Sequence, residues 1–101
     1  MILTKELWIP ENHPDLEGHF DGFHLLPGVT QIEMVKTNLR EILLRPVLIT
    51  EIRKAKFFKM LRPPGSFLLE ISLNEDISEA AWVLKNDQHV YSKGVVSYEY
   101  H

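Results

Sequence analysis

The strongest regularity in the chain is a helical one. Val29, Ile32, Val35, Leu39, Ile42 and Leu43 recur at three- and four-residue spacing. That spacing puts them on one face of a helix predicted over residues 28–44. Pro27 stands just before its start and Pro46 just after its end, both good boundaries. Seventeen residues make a helix roughly 25 Å long. Beyond it the period drops to two. Phe67, Leu69, Ile71 and Leu73 alternate with Leu68, Glu70 and Ser72, the signature of a strand with one buried face. Residues 47–58 are rich in β-branched and aromatic side chains, and residues 80–85 and 89–100 flank Asn86-Asp87, a predicted tight hairpin. Arg62-Pro63-Pro64-Gly65 reads as a turn, and residues 2–9 as a short strand stopped by Pro10. The predicted order is strand, long helix, then about four antiparallel strands. One helix cannot cover both faces of such a sheet. The expected architecture is therefore α+β: a curved antiparallel sheet wrapped around one long central helix, with its other surface or its edge paired to a partner.

Composition narrows this picture. The chain has 101 residues, of which 45% are hydrophobic and 25% charged, as expected for one globular domain spanning 1–101. A domain of this size hides only about two-thirds of its unfolded surface, so it gains by burying a further face against a second copy. There is no cysteine, which excludes disulfides, thiolate nucleophiles and cysteine–zinc sites. The net charge of −3 gives no reason to expect nucleic-acid binding. No apolar run approaches the length of a membrane span, and residues 1–10 lack the apolar centre of a signal peptide. A soluble cytoplasmic protein is expected. The charges are unevenly spread. Five of the eleven basic residues, Arg53, Lys54, Lys56, Lys59 and Arg62, fall within ten positions, whereas Glu6, Glu11, Asp15, Glu17 and Asp21 make the early chain acidic.

Candidate chemistry concentrates between those regions. Residues 11–27 hold two Pro, two Gly and three His without a clear period, and a loop of that length in a small domain is often functional. His19 lies in this loop, Glu33 in the first turns of the helix, and Pro27-Gly28 between them. The first N–H groups of a helix have no intrahelical partner. A glycine there can bring a developing oxyanion close to them. An imidazole and a carboxyl nearby suit proton transfer next to a carbonyl. Each element also has a plainer reading. Thr30-Gln31-Ile32-Glu33 matches a capping box, Gly28 could allow close packing, and a lone loop histidine is commonly structural. His13, His19 and His24 with Asp15, Glu17 and Asp21 match no zinc motif, and no metal is expected.

Taken together, His19-Phe20-Asp21-Gly22, Pro27-Gly28 and Glu33, with the acid fourteen residues after the histidine, resemble the active-site signature of the bacterial 3-hydroxyacyl-acyl-carrier-protein dehydratases. The likeness extends further. Lys56-Phe57-Phe58 with Pro64-Gly65 is similar to the family's Lys-Phe strand and Pro-Gly turn, and Ser92-Lys93-Gly94-Val95-Val96 to the glycine motif of its last strand. The short chain points to the compact branch that includes aryl-polyene-type dehydratases. The sequence departs from the family's pattern at Asp21 and His24, where proline is frequent, and at Thr37, where glutamine is common. Its Pro-Gly turn also comes one residue late.

The resemblance implies a hot-dog fold whose sheet continues across a dimer. It also implies reversible dehydration of a 3-hydroxyacyl thioester to the trans-2-enoyl thioester, in fatty-acid-like or polyene biosynthesis. His19 would act as base, Glu33 as acid and the Gly28 N–H as oxyanion donor. Phe20, Gly22 and Pro27 would line the substrate site. Lys54, Lys56, Lys59 and Arg62 would dock an acidic acyl-carrier protein by charge complementarity. No cofactor is implied beyond the phosphopantetheine that carries the substrate on acyl-carrier protein or coenzyme A. The implied partners are that carrier and a second hot-dog subunit, identical or not. Two rival readings share the fold. One is a non-catalytic partner subunit, which would be expected to lack one of the acid–base pair. The other is a thioesterase that activates water through an acid such as Asp15 or Glu17.

Overall fold

The computed structural model describes residues 2–10 and 28–101. In chain order they form β1 (Ile2–Ile9), α1 (Gly28–Leu43), β2 (Val47–Phe57), β3 (Gly65–Asn74), β4 (Glu79–Lys85) and β5 (Val90–Tyr100). The five strands make one sheet in the order β1-β3-β4-β5-β2, with every neighbouring pair antiparallel. The two strands that flank α1 in sequence thus become the two edges of the sheet.

Period-two alternation fixes which face is inner. Phe67, Leu69 and Ile71 of β3, Ala80, Trp82 and Leu84 of β4, and Val96 and Tyr98 of β5 are all buried. Val35 and Leu39 of α1 pack into the same core, with Ile32, Ile42 and Leu43 partly buried around them. The predicted helical face is therefore the core-facing one, with one exception. Val29 is 74% exposed, because it borders a groove toward Leu48 and Ile52 of β2 rather than the closed core. The polar side chains of Thr30, Gln31 and Asn38 are buried instead.

The helix stops one residue earlier than predicted. Leu44 has a left-handed backbone, φ 55°, a common way to end a helix but one usually taken by glycine. The β4–β5 turn lies one residue further on than predicted. Asn86 N–H donates to the His89 carbonyl at 2.9 Å, and its Oδ1 accepts from the N–H groups of Gln88 at 2.9 Å and His89 at 2.8 Å. Asp87 and Gln88 therefore form the tip, and Asn86 braces it from the first position as Asx turns do.

The middle of the sheet is packed without slack. Trp82 lies opposite Gly94 in the β4–β5 register and donates from Nε1 to the buried Ser92 hydroxyl at 3.1 Å. A Cβ built on Gly94 would stand 2.3 Å from the Trp82 ring and 2.2 Å from the Lys54 carbonyl. Gly94 is therefore demanded by close approach. β2 contrasts with this centre. It carries two register shifts, between Ile49 and Glu51 and between Ile52 and Lys54, and almost all of it is exposed beyond Val47.

Candidate active site

Glu33 is the sixth residue of α1, so it lies beyond the first turn. Thr30, three residues earlier, is itself helical. A capping box needs its Ser or Thr at the residue flanking the helix, so that reading of Thr30 and Glu33 does not hold. The field of the helix N-terminus also fades within the first turn, which weakens its pull on this carboxyl. Thr37, where the resembling family commonly has glutamine, donates its hydroxyl to the Glu33 carbonyl at 3.0 Å.

The Glu33 side chain is exposed and stands on a ridge between two grooves. At about 100° per residue, Thr30, Met34, Thr37 and Glu41 lie to one side of it, and Val29, Ile32 and Lys36 to the other. The first side faces β1. There Glu33 lines a groove of about 320 Å³ with Lys5, Leu7, Thr30, Met34, Thr37, Asn38 and Glu41. The second side faces β2. There it lines a groove of about 240 Å³ with Val29, Ile32, Lys36, Leu48, Ile49 and Ile52. Six of the eight residues around the first groove carry polar side chains, against two of seven around the second, while apolar atoms make most of the surface of both.

Gly28 opens α1, and the Phe57 ring lies against it. A Cβ there would meet ring atoms at 2.9–3.3 Å. The missing side chain is thus explained by packing, and this packing seats the head of the helix on the end of β2. His19, Phe20, Gly22 and Pro27 lie outside the described residues, as do His13, Asp15, Glu17, Asp21 and His24. Among the described residues no cluster of histidine and acidic side chains has the makings of a metal site.

The basic residues divide by strand face. Arg53 is held by acids, Glu79 at 3.1 Å and Glu51 at 3.4 Å. Lys54 and Lys56 are exposed on β2, with Lys59 and Arg62 exposed in the segment after it. Register adds a residue that composition does not single out: Lys93 of β5 lies directly opposite Lys56. Like charges directly opposite on a sheet repel, and Lys54, Lys56, Lys59 and Lys93 have no acid partner among the described residues. Phe58 lies beneath the Lys93 ammonium, 5.7 Å from ring centroid to nitrogen. Asn38 is the second residue that the sequence reading passed over. Its signal is a polar side chain next to Leu39 on the buried side of α1, where Gln31 is buried too.

One helix against a five-stranded antiparallel sheet in this order is the hot-dog fold. The chain belongs to the ApeI-like dehydratase family, whose profile matches residues 2–95. It is similar to the dehydratase heterocomplex ApeI:P from Xenorhabdus doucetiae (TM-score 0.87, 27% identity, covering 96% of this chain and 86% of that one). An uncharacterised protein from Erwinia carotovora subsp. atroseptica superposes at TM-score 0.86 with 20% identity, covering 98% and 83%. An acyl-CoA hydrolase variant from Staphylococcus aureus, bound to coenzyme A, shares the fold at TM-score 0.68 and 10% identity, covering 98% and 64%. No curated protein matches the chain in sequence.

Proposed function

We propose that the protein reversibly dehydrates 3-hydroxyacyl thioesters to trans-2-enoyl thioesters, with the acyl group delivered on the phosphopantetheine of an acyl-carrier protein. The observation that carries this reading is the position of Glu33, a carboxyl on a ridge beside an apolar groove in a chain of the ApeI-like dehydratase family. In this mechanism neutral His19 takes the α-proton of the thioester. Negative charge moves onto the thioester oxygen, where the Gly28 N–H at the head of α1 stabilises it. The 3-hydroxyl leaves as water with a proton from Glu33. The substrate's own carbonyl is the electron sink, so the residues need supply only proton transfer and a dipole.

Two surfaces support the assembly that this chemistry asks for. β2 is an edge strand of eleven residues with Leu48, Ile52 and Phe57 exposed, and an uncovered edge of that length is a template for pairing. Pairing it with a second hot-dog subunit would cover the apolar groove and enclose an acyl chain. That subunit is a second copy or a different hot-dog chain, and the latter is favoured by the heterocomplex to which this chain is similar. Lys54, Lys56, Lys59 and Lys93, which have no acid partner among the described residues, then offer an acidic carrier a complementary face together with Arg62.

The deciding experiment is mass spectrometry of a 3-hydroxyacyl carrier protein incubated with the protein. Loss of water is the expected result. Release of free acid would make it a thioesterase, and no change unless a second hot-dog chain is added would make it a partner subunit. Mixing inactive His19→Ala with inactive Glu33→Gln protein then tests the shared site. Random pairing into symmetric dimers returns roughly a quarter of the activity if the two residues of a site come from different chains.

A further inference from the structure

The groove between α1 and β2 has an order along its length. β2 runs back along the helix: the Phe57 ring at the end of β2 lies against Gly28 at the head of α1, and Val47 at its start follows the end of α1 through a short connection. On the helix the lining residues are Val29, Ile32, Glu33 and Lys36, and Leu48, Ile49 and Ile52 form the opposite wall. Lys36 is therefore the last helical residue of the groove, about 4.5 Å of helix rise beyond Glu33. It is half-buried, and among the described residues no acid lies within ion-pair distance of its ammonium. A lysine so placed lays its stem on apolar surface and keeps its head in water. Stripping that water without supplying a partner is costly.

We infer that Lys36 closes the acyl groove and limits the length of saturated acyl chain that the protein accepts. The inference rests on the proposed dehydration, with Gly28 and Glu33 in their proposed roles. Gly28 then holds the thioester oxygen and Glu33 meets the 3-hydroxyl, so the substrate lies from its carbonyl toward C3 in the direction in which α1 runs. Side chains on a helix lean back toward its N-terminus, which carries the Glu33 carboxyl toward Gly28 and leaves the following turn to the carbons beyond C3. Those carbons meet Ile32, Ile49 and Ile52 and then, at the end of the groove, Lys36. A short chain stops on the isoleucines and gains from burial. A longer one must lie over Lys36 and displace water from an ammonium that the groove offers no other partner. Lys36 thus determines specificity and takes no part in proton transfer.

The test measures loss of water from 3-hydroxybutyryl, 3-hydroxyoctanoyl and 3-hydroxydodecanoyl thioesters of one carrier protein. It compares the unaltered protein with Lys36→Met, which keeps an unbranched stem and removes the charge, and with Lys36→Arg, which keeps the charge. Any second hot-dog chain that activity requires is held constant. The unaltered protein should favour the butyryl over the dodecanoyl ester. In Lys36→Met the dodecanoyl-to-butyryl ratio of kcat/KM should rise about tenfold, a discrimination within reach of an apolar pocket, and mainly through KM. Lys36→Arg should keep the original ratio. All esters are read on the same sample, so the fraction of folded protein cancels. A ratio that stays put in Lys36→Met, or moves equally in Lys36→Arg, would show that the charge does not set the length, and the dehydratase reading would stand. Equal handling of all three esters by the unaltered protein would also overturn the limit. If no ester of any length loses water, the dehydratase reading has failed and the length limit falls with it.

Discussion

The two halves of the sheet are built to different standards. In β3, β4 and β5 the inner positions are closed by the chain itself, with Trp82 over Gly94 and hydrogen-bonded to Ser92. In β2 and the first turns of α1, Val29, Leu48, Ile52 and Phe57 stand exposed, although their types would suit a core. The closed half fulfils what burial of apolar surface asks of a stable domain. The open half leaves that demand unmet among the described residues, and it is where Glu33, Gly28, Lys54 and Lys56 lie. Under the proposed function, stability falls to one half, and chemistry and assembly to the other. It can be broken by substitutions whose effects cross over.

The largest effect should come from the open half and appear only in rate. Glu33→Gln keeps the shape of an exposed side chain that caps nothing. Its removal should lower kcat by about 10²–10⁴-fold, the usual contribution of a general acid, and leave the melting temperature within about a degree or two, as for a surface change. Steady-state kinetics beside a thermal melt checks both. A drop in melting temperature with turnover retained would remove Glu33 from the chemistry.

Next come two glycines that the sequence presents alike and the structure separates. At Gly94 an added methyl meets a backbone carbonyl and a buried indole, neither of which can yield, so Gly94→Ala should destabilise by about 1–3 kcal/mol or more. At Gly28 the obstacle is the ring of Phe57, which is half exposed and can swing aside. Gly28→Ala should therefore cost little stability, about 0.5 kcal/mol or less. Urea denaturation of the two variants gives the comparison directly. Equal costs would mean that the head of α1 is as tightly held as the centre of the sheet.

The same contrast explains what could be read from sequence. The alternation of Phe67, Leu69 and Ile71 and the helical spacing of Val35 and Leu39 announced elements that one chain completes; five of the six stand within a residue of their predicted bounds, and β3 starts two residues early, at Gly65 in the predicted turn. The residues from Gly28 to Glu33 stood out because their spacing resembles a family signature. Pairing was not legible. Lys93 joins Lys56 only through the β2–β5 register, which depends on two shifts in β2 that no local pattern encodes. Val29 was misplaced because helical period reports which side of a helix is apolar and not what covers it. Asn38 was passed over because a single polar residue beside Leu39 reads as a break in a stripe until its neighbours are known.

A smaller effect tests whether every exposed apolar side chain on this protein marks an interface. Leu44 is 88% exposed and left-handed, φ 55°, a conformation that costs an L-residue roughly 1–2 kcal/mol relative to glycine's tolerance of it. It buries almost nothing in return. Leu44→Gly should stabilise by up to about 1 kcal/mol, which for a domain of this size raises the melting temperature by roughly 4–8 °C. Dimerisation measured by sedimentation should be unaffected. Loss of association on this substitution would place the back end of α1 in the interface, and the division into halves would need redrawing.

The smallest effect belongs to the closed half and is visible only in alkali. Burial, with Tyr100 and Glu75 nearby, raises the Tyr98 phenol above its ordinary 10.0. The folded protein therefore holds this proton at pH values where the unfolded chain has released it. Where the unfolded state binds fewer protons, stability falls as pH rises. The contribution of Tyr98 is thus fully present below about pH 10, the unfolded value, and is lost as pH climbs through the folded value. Tyr98→Phe removes the titration and keeps the ring against Tyr100, which it meets edge-on at 6.0 Å. Urea midpoints of the two proteins should run parallel up to about pH 9 and separate above it, with the phenylalanine variant falling less. The other groups that titrate in that range are common to both, so the difference between the curves reports the Tyr98 hydroxyl together with its coupling to Tyr100. Parallel curves throughout would mean that Tyr98 reaches water in the native state, and that the sheet near the end of β5 is more open than the packing of Val96 and Tyr98 implies.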